Sequence, residues 1–129
     1  MNPPALHGIH AILYAFFDAE ERLDRAAMRR QLELCHAVGA HGVAALGLAT
    51  EVAKLSEPER RTVMDWIAED NAGRLPLGLT IFGSSVAEQI AGVRHAESVK
   101  ADWVILQPPM AGSFAAAEYI RFFGRVAEA

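Results

Sequence analysis

Short apolar runs alternate along the chain with stretches in which apolar residues recur at helical spacing. The runs are Gly8–Tyr14 (GIHAILY), Gly42–Leu46, Leu75–Phe82 and Trp103–Leu106. Their length and bounding Gly and Pro residues predict strands. After the first run, Asp24 reads as an N-cap, with Met28, Leu32, Cys35 and Val38 on one helical face and Gly39 placed to end it. The second helix opens on Ser56 and Glu59 in capping-box spacing, with Pro58 in its first turn. Val63, Ile67 and Trp66 form its predicted inner face, and Gly73 ends it. The third opens on Ser85 and Glu88 and carries Val86, Ile90, Val93 and Ala96 at helical spacing. The fourth covers 115–127, with Tyr119, Ile120, Phe123 and Val126 as its apolar stripe. Gln107-Pro108-Pro109 stops the fourth strand.

A strand-then-helix unit of about 30 residues is thus used four times. The strands are apolar nearly throughout rather than alternating, which predicts burial on both faces, as in a parallel sheet covered by helices. Two α/β architectures accept this (βα)4 layout: a small open doubly-wound sheet, or half of a (β/α)8 barrel, since a whole barrel takes about 250 residues. No Gly-rich turn follows the first strand; AFFDAEERLD stands there. That weighs against a nucleotide site and against a nucleotide cofactor. No linker or low-complexity stretch appears, so residues 1–129 read as one unit.

Composition changes the picture little. A net charge of −4 disfavours nucleic acid or an anionic membrane as the main partner, because either requires a clustered basic face. The doublets Arg29-Arg30 and Arg60-Arg61 fall inside helical patterns and read as solvated faces. There is one cysteine, Cys35, on an apolar helical face, where a buried inert thiol is expected. No signal sequence or apolar run of spanning length is visible, so a cytoplasmic protein is expected. The five histidines show no metal spacing; His7-x-x-His10 lacks a third ligand nearby.

An ordered set of short motifs carries a family resemblance. It comprises Gly8-Ile-His-Ala-Ile12, Phe17-Asp18, Gly47-x-x-x-Glu51, Leu55-Ser56-Glu-x-Glu59-Arg60, Gly73-Arg-Leu-Pro76, Gly83-Ser-Ser85 with Glu88, His95-Ala96, Ala101-Asp102 and Pro108-Pro109. Order and spacing resemble the dihydrodipicolinate synthase / N-acetylneuraminate lyase family from about Leu6 to Glu128. The resemblance implies a (βα)4 half of a TIM barrel. It also implies Schiff-base lyase or aldolase chemistry on pyruvate or a related 2-oxo acid, no cofactor or metal, and a homo-oligomer. The family's Schiff-base lysine lies on strand six and its catalytic tyrosine after strand five, so neither has a counterpart here. This chain, read as the N-terminal half, is expected to be inactive alone.

The resemblance assigns Gly47, Leu48, Ala49, Thr50 and Glu51 to the loop that holds the substrate carboxylate. The family commonly places two threonines where Leu48 and Ala49 stand, so the usual hydroxyl relay is lost while backbone N–H groups remain. Thr50 either supplies a hydroxyl from the next position or bonds its own turn. Glu51 is expected to brace the loop. The relay tyrosine of the loop after strand four aligns with Ala111, which cannot move a proton. Tyr119 reads as core. Lys54, near Glu51 and Glu57, is expected to be solvated or ion-paired, and Lys100 to lie at the opposite end of the strand. Asp18 is expected to brace its loop. The alternative reading is a non-catalytic half-barrel acting through self-association or protein binding, since its sheet would keep two open edges.

Overall fold

The computed structural model describes residues 6–109, 112 and 114–129. Its elements follow the order β1 (His10–Ile12), α1 (Arg25–Ala37), β2 (Gly42–Ala45), α2 (Glu57–Asn71), β3 (Leu77–Ile81), α3 (Val86–Ser98), β4 (Trp103–Leu106) and α4 (Ala116–Ala127). The four strands form one parallel sheet in the order β1-β2-β3-β4. Of the two architectures that the pattern admits, this sequential order is the barrel's, since a doubly-wound sheet reverses direction at a switch point.

Local chemistry explains where the elements start and stop. Asp24 accepts a hydrogen bond from the Ala27 N–H and caps α1. Ser56 and Glu59 form a full capping box at α2, and Ser85 caps α3 through the Glu88 N–H. Gly39 and Gly73 both hold positive φ just past their helices, where glycine escapes the Cβ penalty. Buried Asn71 brackets Leu75, donating to its carbonyl at 2.7 Å and accepting from its N–H at 3.2 Å. That clamp fixes the turn from α2 into β3. Asp102 accepts from the Leu77 N–H at 2.8 Å and pins the start of β4.

The core lies between the sheet and the helices. Leu13, Val43, Ala45, Leu77, Leu79 and Ile81 face Met28, Leu32, Val63, Ile67 and Ala96. Register places Ile12, Ala44, Gly78 and Trp103 in one row across the sheet. This row belongs to the opposite, concave face, because successive strand residues alternate sides. There the glycines are filled from their neighbours. A Cβ at Gly78 would stand 2.2 Å from the Trp103 indole, and one at Gly42 2.3 Å from the His10 ring. His10 and Trp103 meet edge to face, their centroids 5.5 Å apart.

Several expectations need correction. Burial on both faces holds for β2 and β3 only. Ile12 and Ile105 are exposed on the concave side of the edge strands, and Val104, which shares the helix-facing side with Leu79, is exposed at the outer edge of β4. The first strand shortens from the expected 8–14 to His10–Ile12, since only there does it pair with β2. Val38 is not on the inner face of α1: it is the C-cap, where the chain leaves the helix. Ile120 is not part of the inner stripe of α4, which runs through Tyr119, Phe122, Phe123 and Val126; at 73% exposure it faces outward. In α3 the buried side chains are Gln89 and Ala96; of the expected stripe, Ala96 is buried while Val86 and Ile90 are only half-buried.

The aromatic floor can be tested. Gly78→Ala should cost about 1–3 kcal/mol of stability by overpacking, read from urea midpoints. The loss should shrink when Trp103→Leu is added. Equal losses in both backgrounds would show that the indole does not occupy the space above Gly78.

Candidate functional site

Parallel strands all leave the sheet at the same edge, so the loops after β1, β2, β3 and β4 gather there. The loop after β2 is the most unusual. Leu46, completely buried, has φ +63° and Glu51 has φ +55°. Left-handed backbone is disfavoured for residues with a Cβ by roughly 1–2 kcal/mol. The burial of Leu46 and the 3-10 turn Val52–Lys54 hold the chain in this shape. Between these two residues the backbone turns, and the Glu51 N–H bonds the Leu48 carbonyl at 3.0 Å. None of the N–H groups of Gly47, Leu48, Ala49 and Thr50 has an acceptor among the described residues. A run of unpaired amides in such a turn suits an anion.

The side chains of this loop divide sharply. Leu48 is 94% exposed. Thr50 is buried and donates its hydroxyl to the Leu13 carbonyl at 2.6 Å, tying the β2 loop to the end of β1. Its hydroxyl is therefore a structural donor rather than a solvent-facing group. Glu51 carries no cap bond from its side chain; its carboxylate pairs with Lys54 at 2.9 Å on the surface. A cavity of about 290 Å³ opens beside the loop, walled by Leu46, Gly47, Leu48, Lys54, Phe82 and Gln107.

The neighbouring loops are braced in turn. Asp18 accepts from the Arg22 and Glu20 N–H groups at 2.9 and 3.0 Å and from the Arg22 guanidinium at 3.0 Å. The Arg22 N–H leads in holding its carboxyl below the ordinary aspartate range, with burial opposing and the guanidinium adding. Gln31 of α1 brackets Tyr14, accepting from its N–H and donating to its carbonyl.

Gln89 was not singled out by sequence, yet it joins two loops of this edge. Its amide donates to the Gly83 carbonyl at 3.1 Å and to the Gln107 carbonyl at 2.6 Å. The available signal was a polar residue at a position of the α3 stripe, three after Val86 and four before Val93. Thr80 was missed likewise. It is buried, and its hydroxyl oxygen stands 3.7 Å from where a Gly47 Cβ would be.

Other candidates are dispersed. Ala111 lies outside the described residues. Tyr119 is half-buried and stacks on Phe123 with centroids 6.3 Å apart. Lys100 precedes β4, at the far end of the sheet from the loops. His7 meets His41 edge to face while His10 meets Trp103. Among the described residues no three of His, Cys, Asp and Glu group to hold a metal. Burial pushes the Cys35 thiol up, away from the reactive thiolate. Among the described residues no helix is long and apolar enough to cross a membrane.

Comparisons with known proteins agree with this geometry. The model of the dihydrodipicolinate synthetase family matches residues 5–129. An uncharacterised DapA-like lyase of Halobacterium salinarum is 29% identical over 128 residues, 99% of this chain and 42% of its own. The 4-hydroxy-tetrahydrodipicolinate synthase of Acidiphilium cryptum is 30% identical over 95% of this chain and 42% of its own. Among solved structures, a Pseudomonas aeruginosa protein assigned as a dihydrodipicolinate synthetase superposes with a TM-score of 0.92 at 30% identity, over 96% of this chain and 43% of that one. The prophage protein YagE of E. coli K12, solved with pyruvate, gives 0.91 at 24% identity over 96% and 42%. The chain thus spans about two-fifths of the length of the proteins it matches.

Two tests follow from the loop contacts. Thr50→Val leaves the Leu13 carbonyl without its donor and should cost about 1–3 kcal/mol, measured by chemical denaturation; an unchanged midpoint would show that the bond is unimportant. Because the Asp18 value is depressed on folding, its stabilisation is complete above the ordinary value of 3.8 and is lost as pH falls through the depressed one. Carbon-detected NMR should show Asp18 titrating below that value, with the Glu20 and Arg22 amides shifting in step. In Arg22→Ala the carboxyl should move part of the way back.

Proposed function

The chain belongs to the dihydrodipicolinate synthetase family, and on that premise we propose that it carries the carboxylate-binding loop of a Schiff-base lyase. Its substrate is pyruvate or a related 2-oxo acid, and its reaction makes or breaks a C–C bond. The observation that carries this reading is the turn Gly47–Glu51. Its unpaired amides sit at the edge of a parallel sheet where all four loops converge, the edge at which barrel enzymes do their chemistry. The four N–H groups hold the carboxylate. Leu48 and Ala49 leave the loop without side-chain hydroxyls there, and Thr50 spends its own on Leu13. The pyruvate bound in YagE supports the substrate class.

In this reading a neutral lysine attacks the substrate ketone, water leaves, and the resulting iminium loses a proton to become an enamine nucleophile. Neither lysine of this chain suits that step. Lys54 is exposed, and its amine is engaged by the Glu51 carboxylate at 2.9 Å. Lys100 lies at the wrong end of the strands. The nucleophile and the catalytic tyrosine are therefore supplied from outside residues 1–129, and the chain by itself does not turn over. A homo-oligomer in the cytoplasm completes the proposal.

Titrating the labelled chain with pyruvate should move the amide signals of Gly47 to Thr50, whereas pyruvamide, which lacks the carboxylate, should not. Borohydride treatment with pyruvate should leave the mass unchanged. Shifts confined to other loops would remove the carboxylate assignment, and an adduct on Lys54 would refute an external nucleophile.

A further inference from the structure

Among the described residues two hydroxyls are buried, those of Thr50 and Thr80. They differ in what they bond. Thr50 donates to the Leu13 carbonyl. The Thr80 hydroxyl has no partner among the described residues. Nor is it sealed in. The polar atoms that are both unpartnered and shut off from solvent are His10 Nδ1, His36 Nε2, Gln89 Oε1 and Trp103 Nε1, and Thr80 Oγ1 is not one of them. A hydroxyl that the protein leaves unbonded yet reachable calls for an outside partner.

Register decides where it points. Leu77, Leu79 and Ile81 belong to the helix-side core, and a Cβ on Gly92 of α3 would stand 2.9 Å from Ile81 Cγ2. Thr80 therefore points to the concave side, as Gly78 does. Its neighbour on β4 is Ile105. On β2 the ladder ends just below it. Ala45 pairs with Leu79, and the Val43 N–H bonds the Pro76 carbonyl at 2.9 Å. Continued by two more steps, the same ladder would carry the Gly47 N–H to the Thr80 carbonyl. That bond is not formed, because Leu46 turns left-handed at φ +63°. The break frees the Gly47 amide and sets it beside Thr80.

The space between them is open because Gly47 has no side chain. Where its Cβ would stand, setting aside the adjoining Leu46 and Leu48, the one heavy atom within 4 Å is Thr80 Oγ1, at 3.7 Å. An oxygen there needs to sit only about 1 Å nearer to accept from the hydroxyl.

We propose that Thr80 is a substrate-binding residue, its hydroxyl donating to one oxygen of the carboxylate that the amides of Gly47 to Thr50 hold. The inference deepens the 2-oxo-acid reading and rests on it. The site thus draws from β3 the hydroxyl that Leu48 and Ala49 do not supply. Its bond to an ionised oxygen is of the stronger, charge-assisted kind. Because the donor stands on a paired strand rather than in a loop, it also fixes where the carboxylate sits relative to the sheet.

Three variants separate the outcomes. Thr80→Val keeps the shape and removes the donor. It should weaken pyruvate binding by the labelled chain roughly tenfold or more, read from the concentration dependence of the Gly47–Thr50 amide shifts. Acetate binding should weaken by a similar factor, because both ligands carry the carboxylate. Thr80→Ser keeps the donor and should stay within about threefold of the wild type. Gly47→Ala, whose Cβ meets Thr80 only at an ordinary 3.7 Å contact, should fold normally and weaken binding at least as much as Thr80→Val, by filling the space. A purely structural role would show in stability instead. Thr80→Val should leave the urea midpoint unchanged or raise it, since no internal bond is lost, in contrast to Thr50→Val. A lowered midpoint gives the hydroxyl an internal partner and overturns the proposal. Pyruvate affinity equal to wild type in Thr80→Val or in Gly47→Ala overturns it and leaves the lyase reading standing. A loss confined to pyruvate, with acetate unaffected, moves the contact to the ketone and overturns it as well. A wild type whose Gly47–Thr50 amides respond to neither ligand removes the lyase reading and this inference with it.

Discussion

The parallel pairing of β2 with β3 is the constraint on which the molecule depends. Its register, Val43 on Leu77 through Ala45 on Leu79, sets which residues face the helices and which face the concave side. Because the strands are parallel, each must return by a crossover, and the returning helix covers one face. It also follows that every loop after a strand emerges at the same edge. The convergence of Asp18, Gly47–Glu51, Gly83 and Gln107 is thus a consequence of strand direction rather than of local loop sequence.

A second layer of bonds makes that edge specific. Thr50 holds the β2 loop to β1, Gln89 holds the loops after β3 and β4 to α3, and Gln31 holds Tyr14. Each is a neutral side chain bonded to backbone carbonyls or amides. Such bonds involve no titrating group, unlike the Asp18–Arg22 pair. The loop that presents free amides is therefore held from beneath by Leu46 and Thr50, not by its charged residues.

One face of the sheet is finished and the other is not. The helix side is a continuous apolar core. The concave side has a floor of His10 and Trp103 laid over Gly42 and Gly78, and open edges above it. A parallel sheet is ordinarily covered on both faces. Ile12 and Ile105 stand exposed on that side, on the two edge strands. Family membership and the open edges are two expressions of this architecture, one read by comparison and one by physics.

The number, type and order of the elements were legible in the chain, because capping boxes, helix-ending glycines and apolar runs are local signals. Membership of the family was legible for a related reason: motif order survives where single residues change. What the sequence could not show was which apolar residues are covered. Val38 and Ile120 fit a helical stripe but face outward, since a one-position shift in helix phase depends on the neighbours. Gln89 was not singled out by sequence and is buried, because only the meeting of α3 with the Gly83 and Gln107 carbonyls makes an amide welcome there. Thr50 was expected either to offer its hydroxyl to substrate or to bond its own turn, and it does neither: it donates to the Leu13 carbonyl at 2.6 Å, 37 residues away. Local pattern determined the parts and their order; burial and hydrogen-bond partners, which join residues tens of positions apart, were decided only when the strands paired.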